Sequence, residues 1–192
     1  ISLAKPMRRL VQGDVGSGKT VVAAMSMYIS AKNNSQSVLL CPTEVLAEQH
    51  FKNFSGWFKN LNIKIELLTG KMPVSKRRGI YQDLENGEID ILIGTHAVFQ
   101  EKVKMKNLGL VVVDEQQRFG VKQRFDLVKK SSDQIMPHQL FMTATPIPRT
   151  LAMTIFADLE TSKIDELPPG RKPVETLVYS DKKKDEIVKR LE

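Results

Sequence analysis

Hydrophobic residues in this chain form short continuous runs, separated by longer stretches in which apolar and polar residues alternate with helical spacing. The apolar runs predict strands over 8–12, 37–41, 63–68, 89–93, 110–113 and 139–142. The stretches between them predict helices over 21–31, 42–61, 75–86 and 149–156. Continuous runs of Val, Ile and Leu indicate strands that are buried on both faces. The pattern therefore predicts an α/β fold with a parallel sheet covered by helices on both sides.

The second predicted helix shows how the pattern defines a buried face. Its apolar residues recur at helical spacing, at Ala47, Phe51, Phe54, Phe58 and Leu61. Polar motifs, by contrast, follow directly after the predicted strands. Because ligands of parallel α/β sheets gather at the carboxyl ends of the strands, these motifs should lie along one edge of the sheet.

The first polar motif fits the phosphate-loop pattern G-x-x-x-x-G-K-[ST]. Its residues are Gly13, Asp14, Val15, Gly16, Ser17, Gly18, Lys19 and Thr20. Gly16 and Gly18 allow backbone conformations that turn successive N–H groups toward a phosphate. Lys19 supplies positive charge for the terminal phosphates, and Thr20 supplies a hydroxyl for Mg²⁺. A simple glycine-rich helix cap needs neither the lysine nor the threonine, so the motif predicts binding of a nucleoside triphosphate together with Mg²⁺.

The second polar motif ends the buried run at 110–113. Asp114 and Glu115 place adjacent carboxylates where a phosphate-bound Mg²⁺ would lie. Asp114 is the predicted metal ligand, and Glu115 is the predicted residue that orients and deprotonates the attacking water. An ordinary strand end with solvated acids is the alternative. The phosphate loop in the same chain favours the hydrolytic site.

Composition limits the class of protein. The 192 residues, 41% of them hydrophobic, suit one domain over 1–167, followed by a proline-rich linker and a short segment over 168–192. A formal net charge of +7 is compatible with a polyanionic partner. Cys41 is the single cysteine and fits a reducing, cytoplasmic setting, as a buried inert thiol. No apolar run approaches the ~18 residues of a membrane span.

Five motifs occur in the order found in superfamily 2 helicases, and the resemblance covers nearly the whole chain. They lie at 13–20, 42–50, 94–96, 114–120 and 143–150. The chain most resembles the ATP-dependent DNA helicases that act on branched DNA in recombination and replication-fork repair. Transcription-repair coupling translocases, which share the Arg118-Phe119-Gly120-Val121 run, are the alternative within the superfamily. The resemblance implies a RecA-like P-loop NTPase fold that uses ATP and Mg²⁺.

The resemblance also implies roles for individual residues. Lys19 and Thr20 would hold ATP and Mg²⁺, and Asp114 and Glu115 would form the Walker B pair. Contacts to the DNA backbone are implied for Thr43, Thr69, Gly70, Thr95 and His96. Coupling of hydrolysis to movement is implied for Gln117, Thr143 and Thr145. Each DNA position has a structural alternative: Thr43 as a helix N-cap, Thr69-Gly70 as a turn and His96 as a polar cap.

Further expectations concern the domains needed for activity, the residue at position 117 and the alternative functions. In this family ATP lies between two RecA-like domains, and an upstream wedge domain recognises the fork, so the 192 residues alone should bind nucleotide weakly, hydrolyse little and unwind nothing. Gln117 stands where such helicases commonly carry His, which removes a group that can become positive near neutral pH. A metabolic P-loop kinase or NTPase, and a nucleotide-gated binding module without chemistry, are the alternative functions.

Overall fold

Parallel strands form a single sheet in the computed structural model, which describes residues 6–115, 136–145, 159–166 and 178. Within those residues the sheet has seven strands: β1 Arg8–Gly13, β2 Gln36–Leu40, β3 Ile65–Leu68, β4 Ile91–Gly94, β5 Leu108–Val113, β6 His138–Thr143 and β7 Glu160–Ile164. The described helices are α1 Lys19–Lys32, α2 Glu44–Trp57 and α3 Val74–Asn86, with a 3₁₀ turn at His96–Phe99. None of these helices is long and apolar enough to cross a membrane.

The spatial order of the strands is β3-β4-β2-β5-β6-β1-β7, and every pairing is parallel. Leu40 at the end of β2 is in register with both Gly94 and Val113. Gln12 near the end of β1 is in register with Thr143 at the end of β6. The loops that follow these strands therefore leave the sheet along one edge, as predicted.

Two apolar layers cover the sheet. One layer packs Ala23 and Met27 of α1 and Phe54 of α2 against alternate residues of the central strands. The opposite layer packs Leu84 of α3 and Val98 of the 3₁₀ turn against the other face. These buried faces are what hold the strand ends in fixed positions, and they confirm a parallel sheet with helices on both sides.

The structure corrects several details of the pattern. Ala47, Phe54 and Phe58 are buried as predicted and Phe51 is half-buried, but Leu61 is exposed because α2 ends at Trp57. Helix α1 begins at Lys19, two residues before the predicted start, because the phosphate loop runs directly into its first turn. The predicted helix over 149–156 and the segment 168–192, apart from residue 178, lie outside the described residues.

Strand β7 was not predicted. It pairs with β1 through backbone hydrogen bonds, from Arg9 opposite Glu160 to Gly13 opposite Ile164. The Arg9 guanidinium also donates to the Ser162 hydroxyl over 2.7 Å and pairs with the Glu160 carboxylate. Most of its side chains are polar and exposed, so it lacks the apolar signal of a buried strand.

Candidate nucleotide site and the adjoining strand ends

The phosphate loop leaves β1 and turns into the N-terminus of α1. Gly16 and Gly18 have φ values of 82° and 97°, in the left-handed region that side chains disfavour, and Gly18 is the N-cap of the helix. Thr20 is the second residue of α1 and is half-buried. The first turn of α1 carries no acidic residue. The positive end of the helix dipole therefore faces the phosphate loop without an offsetting carboxylate in that turn.

Hydrogen bonds within the loop hold its shape. The Lys19 ammonium donates to the carbonyl oxygens of Gly13 and Asp14 over 2.7 Å and 2.8 Å. The Asp14 carboxylate accepts from the Val15 N–H over 2.7 Å, and the Ser17 N–H donates to the Asp14 carbonyl over 3.1 Å. Lys19 itself is 9% exposed. The loop is therefore pre-shaped around a largely buried ammonium group.

Asp114 follows β5 and is anchored through both backbone and side chain. Its N–H donates to the Leu40 carbonyl over 2.9 Å, which extends the β2–β5 pairing by one residue. Its Oδ2 lies 3.0 Å from Nε2 of His50 on α2, and both side chains are largely buried, with exposures of 13% and 10%. The sequence interpretation did not include this contact. The signal was present, because a histidine at position 50 lies on the predicted buried face between Ala47 and Phe54.

Cys41 lies at the end of β2, fully buried. Burial, and to a smaller extent the Asp114 carboxylate, raises the pKa of its thiol far above the ordinary range. The interpretation of Cys41 as a buried, unreactive thiol is confirmed, and the Asp114 carboxylate is close enough to disfavour a second negative charge there.

Glu115 follows Asp114 in a bend after β5. Its φ of 50° is in the left-handed region, which is uncommon for a residue with a Cβ and costs roughly 1–2 kcal/mol. Such backbone conformations persist where the surrounding structure fixes them, and they concentrate at functional sites. Asp114 is bonded to His50 of α2, and the left-handed backbone of Glu115 follows directly after it.

Thr143 and Thr145 form a compact turn at the end of β6. The Thr145 N–H donates to the Thr143 hydroxyl oxygen over 3.1 Å, and Thr143 is fully buried. The Gln12 side chain of β1 reaches the Thr145 carbonyl over 3.5 Å. Since β6 lies between β1 and β5, this turn stands between the phosphate loop and Asp114.

The available donors suit Mg²⁺. A hydroxyl from Thr20 and a carboxylate from Asp114 are hard oxygen ligands, and Mg²⁺ on a nucleotide needs only one or two protein ligands beside phosphate oxygens and water. The described part of the chain contains no cluster of three or more His, Cys, Asp or Glu side chains that could hold a metal by themselves.

The positions predicted for DNA contacts follow β2, β3 and β4. Thr43 is the N-cap of α2, and its hydroxyl accepts from the Leu46 N–H over 3.3 Å. Thr69 and Thr95 are each 7% exposed, whereas Gly70 and His96 are exposed. The Thr95 N–H donates to the Leu68 carbonyl over 3.3 Å, which holds the two loops side by side. The structure thus brings these residues to the same edge as the phosphate loop.

An ion pair between Glu44 and Lys71 links two of these loops and was also missed. The Lys71 ammonium lies 2.9 Å from the Glu44 carboxylate, and the backbone N–H groups of Gly70 and Lys71 also donate to that carboxylate. The hydrogen bond from Lys71 lowers the pKa of Glu44, and the same contact raises the pKa of Lys71. The Lys71 side chain is 88% exposed and the Glu44 side chain 26%, so solvent reaches the lysine end of the pair. Gln117 lies outside the described residues.

Comparison with known proteins agrees with this arrangement. The family described as DEAD/DEAH box helicase matches residues 2–154. The chain therefore belongs to the DEAD/DEAH box helicase family, and the resemblance to superfamily 2 helicases is confirmed.

Within that family the similarity is to RecG. The chain is 53% identical over 187 residues to the ATP-dependent DNA helicase RecG of Haemophilus influenzae, which covers 97% of this chain. It is 51% identical over all 192 residues to RecG of Escherichia coli K12. A solved structure of RecG bound to a three-way DNA junction matches 98% of the chain with a TM-score of 0.79 and 41% identity. The chain spans about 27% of the length of these curated relatives.

Proposed function

We propose that this chain is the ATP-binding motor domain of a RecG-like helicase, which couples ATP hydrolysis to movement on branched DNA. The observation that carries the proposal is the adjacency of β1, β6 and β5, which sets the phosphate loop, the Thr143 turn and Asp114 side by side. The names of the relatives and the DNA junction in the matched RecG structure support ATP and DNA as the ligands.

The phosphate loop would bind the triphosphate. Its N–H groups and the N-terminus of α1 stabilise negative charge without any change in protonation. The Lys19 ammonium donates to two loop carbonyls, and it would exchange one of them for a phosphate oxygen, which accepts more strongly because it is charged. Because this ammonium is largely buried and already held in place, it loses little further conformational entropy when phosphate binds.

The two carboxylates after β5 would have separate tasks. When bound, Mg²⁺ would supply positive charge that offsets the negative charge of the phosphates. Thr20 and Asp114 supply the protein oxygens that would hold it. Glu115 would orient the attacking water and accept its proton, a task that a metal ligand cannot perform at the same time. The unusual backbone of Glu115 fits a residue that must diverge from its neighbour.

The turn at Thr143 and Thr145 would transmit the nucleotide state. It hydrogen-bonds to Gln12, one residue before the phosphate loop, and β6 also pairs with β5, which carries Asp114. A rearrangement at either neighbour would therefore disturb the same buried hydroxyl. Gln117 is assigned to this coupling on the resemblance alone.

DNA would lie along the ends of β2, β3 and β4 and be held by its backbone. Small hydroxyls, a helix N-terminus and backbone N–H groups bind phosphates without reading sequence, and Thr43, Thr69, Gly70, Thr95 and His96 are the residues proposed for these contacts. The excess of basic residues in the chain would strengthen that binding through release of counterions.

The activity requires more than the 192 residues. A second RecA-like domain would close over the ATP and supply an arginine worth ~10³ to 10⁵ in turnover, and a wedge domain would engage the fork. We assign residues 1–167 to the first RecA-like domain and 168–192 to the linker and the start of the second. The 192 residues alone are expected to bind nucleotide weakly and hydrolyse little.

The decisive experiment measures ATP hydrolysis by a full-length protein containing this chain, with and without forked DNA. We expect strong stimulation by the fork, and loss of hydrolysis in a Lys19→Ala variant under both conditions. Turnover that DNA leaves unchanged would favour a metabolic kinase or NTPase instead. Strong DNA-stimulated hydrolysis by the 192 residues alone would contradict the proposed need for the second domain.

A further inference from the structure

His50 donates a hydrogen bond to the carboxylate that is the candidate metal ligand. Nε2 of His50 and Oδ2 of Asp114 are 3.0 Å apart. An ionised carboxylate can only accept, so the hydrogen between them belongs to Nε2. Both the neutral Nε2–H form of the ring and the imidazolium provide that donor. The contact therefore does not depend on the charge of the histidine.

The other ring nitrogen shows that His50 is poorly suited to a purely structural role. Nδ1 is buried and has no hydrogen-bond partner within the described part of the chain. A buried polar atom without a partner destabilises a fold. The packing of the ring edge-on to Phe54, with centroids 6.0 Å apart, needs only an aromatic ring and would be met equally by phenylalanine. The Nε2–H bond to Asp114 is what distinguishes histidine from phenylalanine at this position.

The hydrogen bond from His50 restricts rotation of the Asp114 side chain. Its backbone is fixed by the N–H bond to the Leu40 carbonyl, so what remains is rotation of the carboxylate about its side-chain bonds. His50 extends from α2, a helix of 14 residues whose Phe54 is fully buried against the sheet. A donor on such a rigid element fixes the carboxylate through Oδ2 and leaves Oδ1 available to a cation. Groups that hydrogen-bond to metal ligands in this way orient the ligand and tune its affinity for the metal.

We propose that His50 is a positioning residue that orients the Asp114 carboxylate for Mg²⁺ on the bound nucleotide. The inference rests on the proposed function, because it takes Asp114 as the metal ligand. It predicts that loss of the Nε2–H donor weakens the response to Mg²⁺ and leaves the metal-free interaction with nucleotide intact.

The test uses a full-length protein containing this chain and a fluorescent ATP analogue, titrated in EDTA and then with Mg²⁺. His50→Phe keeps the aromatic packing and removes the donor, and His50→Gln keeps an N–H donor. His138→Phe is the matched control, because His138 accepts from the Met7 N–H over 2.8 Å at the opposite end of the sheet. Thermal unfolding without nucleotide accompanies each titration as a measure of folding.

We expect His50→Phe to raise the Mg²⁺ concentration for half-saturation by about ten-fold. Affinity in EDTA should stay at the wild-type value, His50→Gln should restore most of the Mg²⁺ response, and His138→Phe should leave it unchanged. If His50→Phe does not fold, His50→Met also removes the donor, with a flexible side chain. It should give the same rise in Mg²⁺ half-saturation and the same unchanged affinity in EDTA.

Two results would overturn the proposal while leaving the proposed function intact. The first is an unchanged Mg²⁺ half-saturation in a folded variant that lacks the donor. The second is an equal loss of affinity with and without Mg²⁺, which would assign His50 a structural role. Nucleotide binding by the wild-type protein that does not respond to Mg²⁺ would contradict the proposed metal site itself, and the His50 inference with it.

Discussion

The two halves of the strand-end edge are held together in different ways. At the ends of β1, β5 and β6, Lys19 and Thr143 are buried and hydrogen-bonded within their own loop and turn, and the largely buried Asp114 is bonded to His50. At the ends of β2 and β3, the link between loops is the pair of Glu44 and Lys71, whose lysine side chain is 88% exposed.

The difference separates a site arranged before its ligand arrives from a surface whose contacts can be exchanged. Buried dipoles and charges are strong and need no reorganisation during reaction, which suits the chemistry of phosphate transfer. An exposed ion pair is worth little and competes with salt, so a passing phosphate can replace it at small cost. Binding that must repeatedly form and break along DNA needs the second arrangement.

The largest effect should follow from Glu115→Gln, which keeps the size of the side chain and removes its ability to accept a proton. If Glu115 is the base, hydrolysis of bound ATP should fall by about 10²–10⁴-fold in a full-length protein. Single-turnover hydrolysis measures the step, and binding of a fluorescent ATP analogue should remain at the wild-type level. Equal rates for the two proteins would remove Glu115 from the chemistry and leave the turn at φ 50° without a catalytic explanation.

The buried thiol beside Asp114 should make stability depend on pH in the alkaline range. The pKa of Cys41 is raised by burial and by Asp114, so the folded protein keeps the proton that the unfolded chain loses above about pH 8.5. This contribution is fully present below the unfolded pKa, and above it the wild-type protein should lose about 1.4 kcal/mol of unfolding free energy per pH unit through this group.

Chemical denaturation of wild type and Cys41→Ala between about pH 8 and pH 10.5 isolates the effect, because the lysines and tyrosines titrate alike in both proteins. The stability difference between them should narrow as the pH rises. A constant difference across the range would mean that the folded protein ionises the thiol as readily as the unfolded chain, and would contradict the buried environment seen at β2.

The Thr143 turn should contribute about 1 kcal/mol of stability through its hydrogen bond. Thr143→Val keeps the branched shape and leaves the Thr145 N–H without its acceptor. We expect a loss of that size in denaturation, together with a smaller ratio of DNA-stimulated to basal hydrolysis in the full-length protein. Thr161→Val, on the exposed edge strand β7, is the matched control and should change neither. A stability loss with an unchanged ratio would confine Thr143 to a structural role.

Local signals predicted the buried parts of the molecule well and its tertiary contacts poorly. The apolar runs located β1 to β6, and the phosphate-loop pattern located the site, because both depend on neighbouring residues. Strand β7 was missed because its stability comes from backbone pairing with β1 rather than from apolar side chains. The His50–Asp114 contact joins residues 64 positions apart, and only the packing of α2 against the sheet brings them together.

The smallest effect should come from Glu44→Gln, which tests whether the contacts at the ends of β2 and β3 can be exchanged for contacts with DNA. The carboxylate accepts from the Lys71 ammonium and from the N–H groups of Gly70 and Lys71, which are the kinds of donor that bind a DNA phosphate. Since the hydrogen bond from Lys71 lowers the pKa of Glu44, the negative charge is present at neutral pH and competes with DNA. Removing it should raise the affinity for forked DNA about two- to three-fold at low salt, with the gain shrinking as salt rises.

The control is Glu88→Gln, which changes the net charge equally near the start of β4. The Glu88 carboxylate lies 3.7 Å from the Lys64 ammonium, and its removal should leave the affinity nearly unchanged. Fluorescence anisotropy of labelled forked DNA over a series of salt concentrations measures both variants. A weaker affinity in Glu44→Gln would show instead that the carboxylate serves DNA binding by ordering the loop, and the surface at β2 and β3 would then be prearranged, as the nucleotide site is.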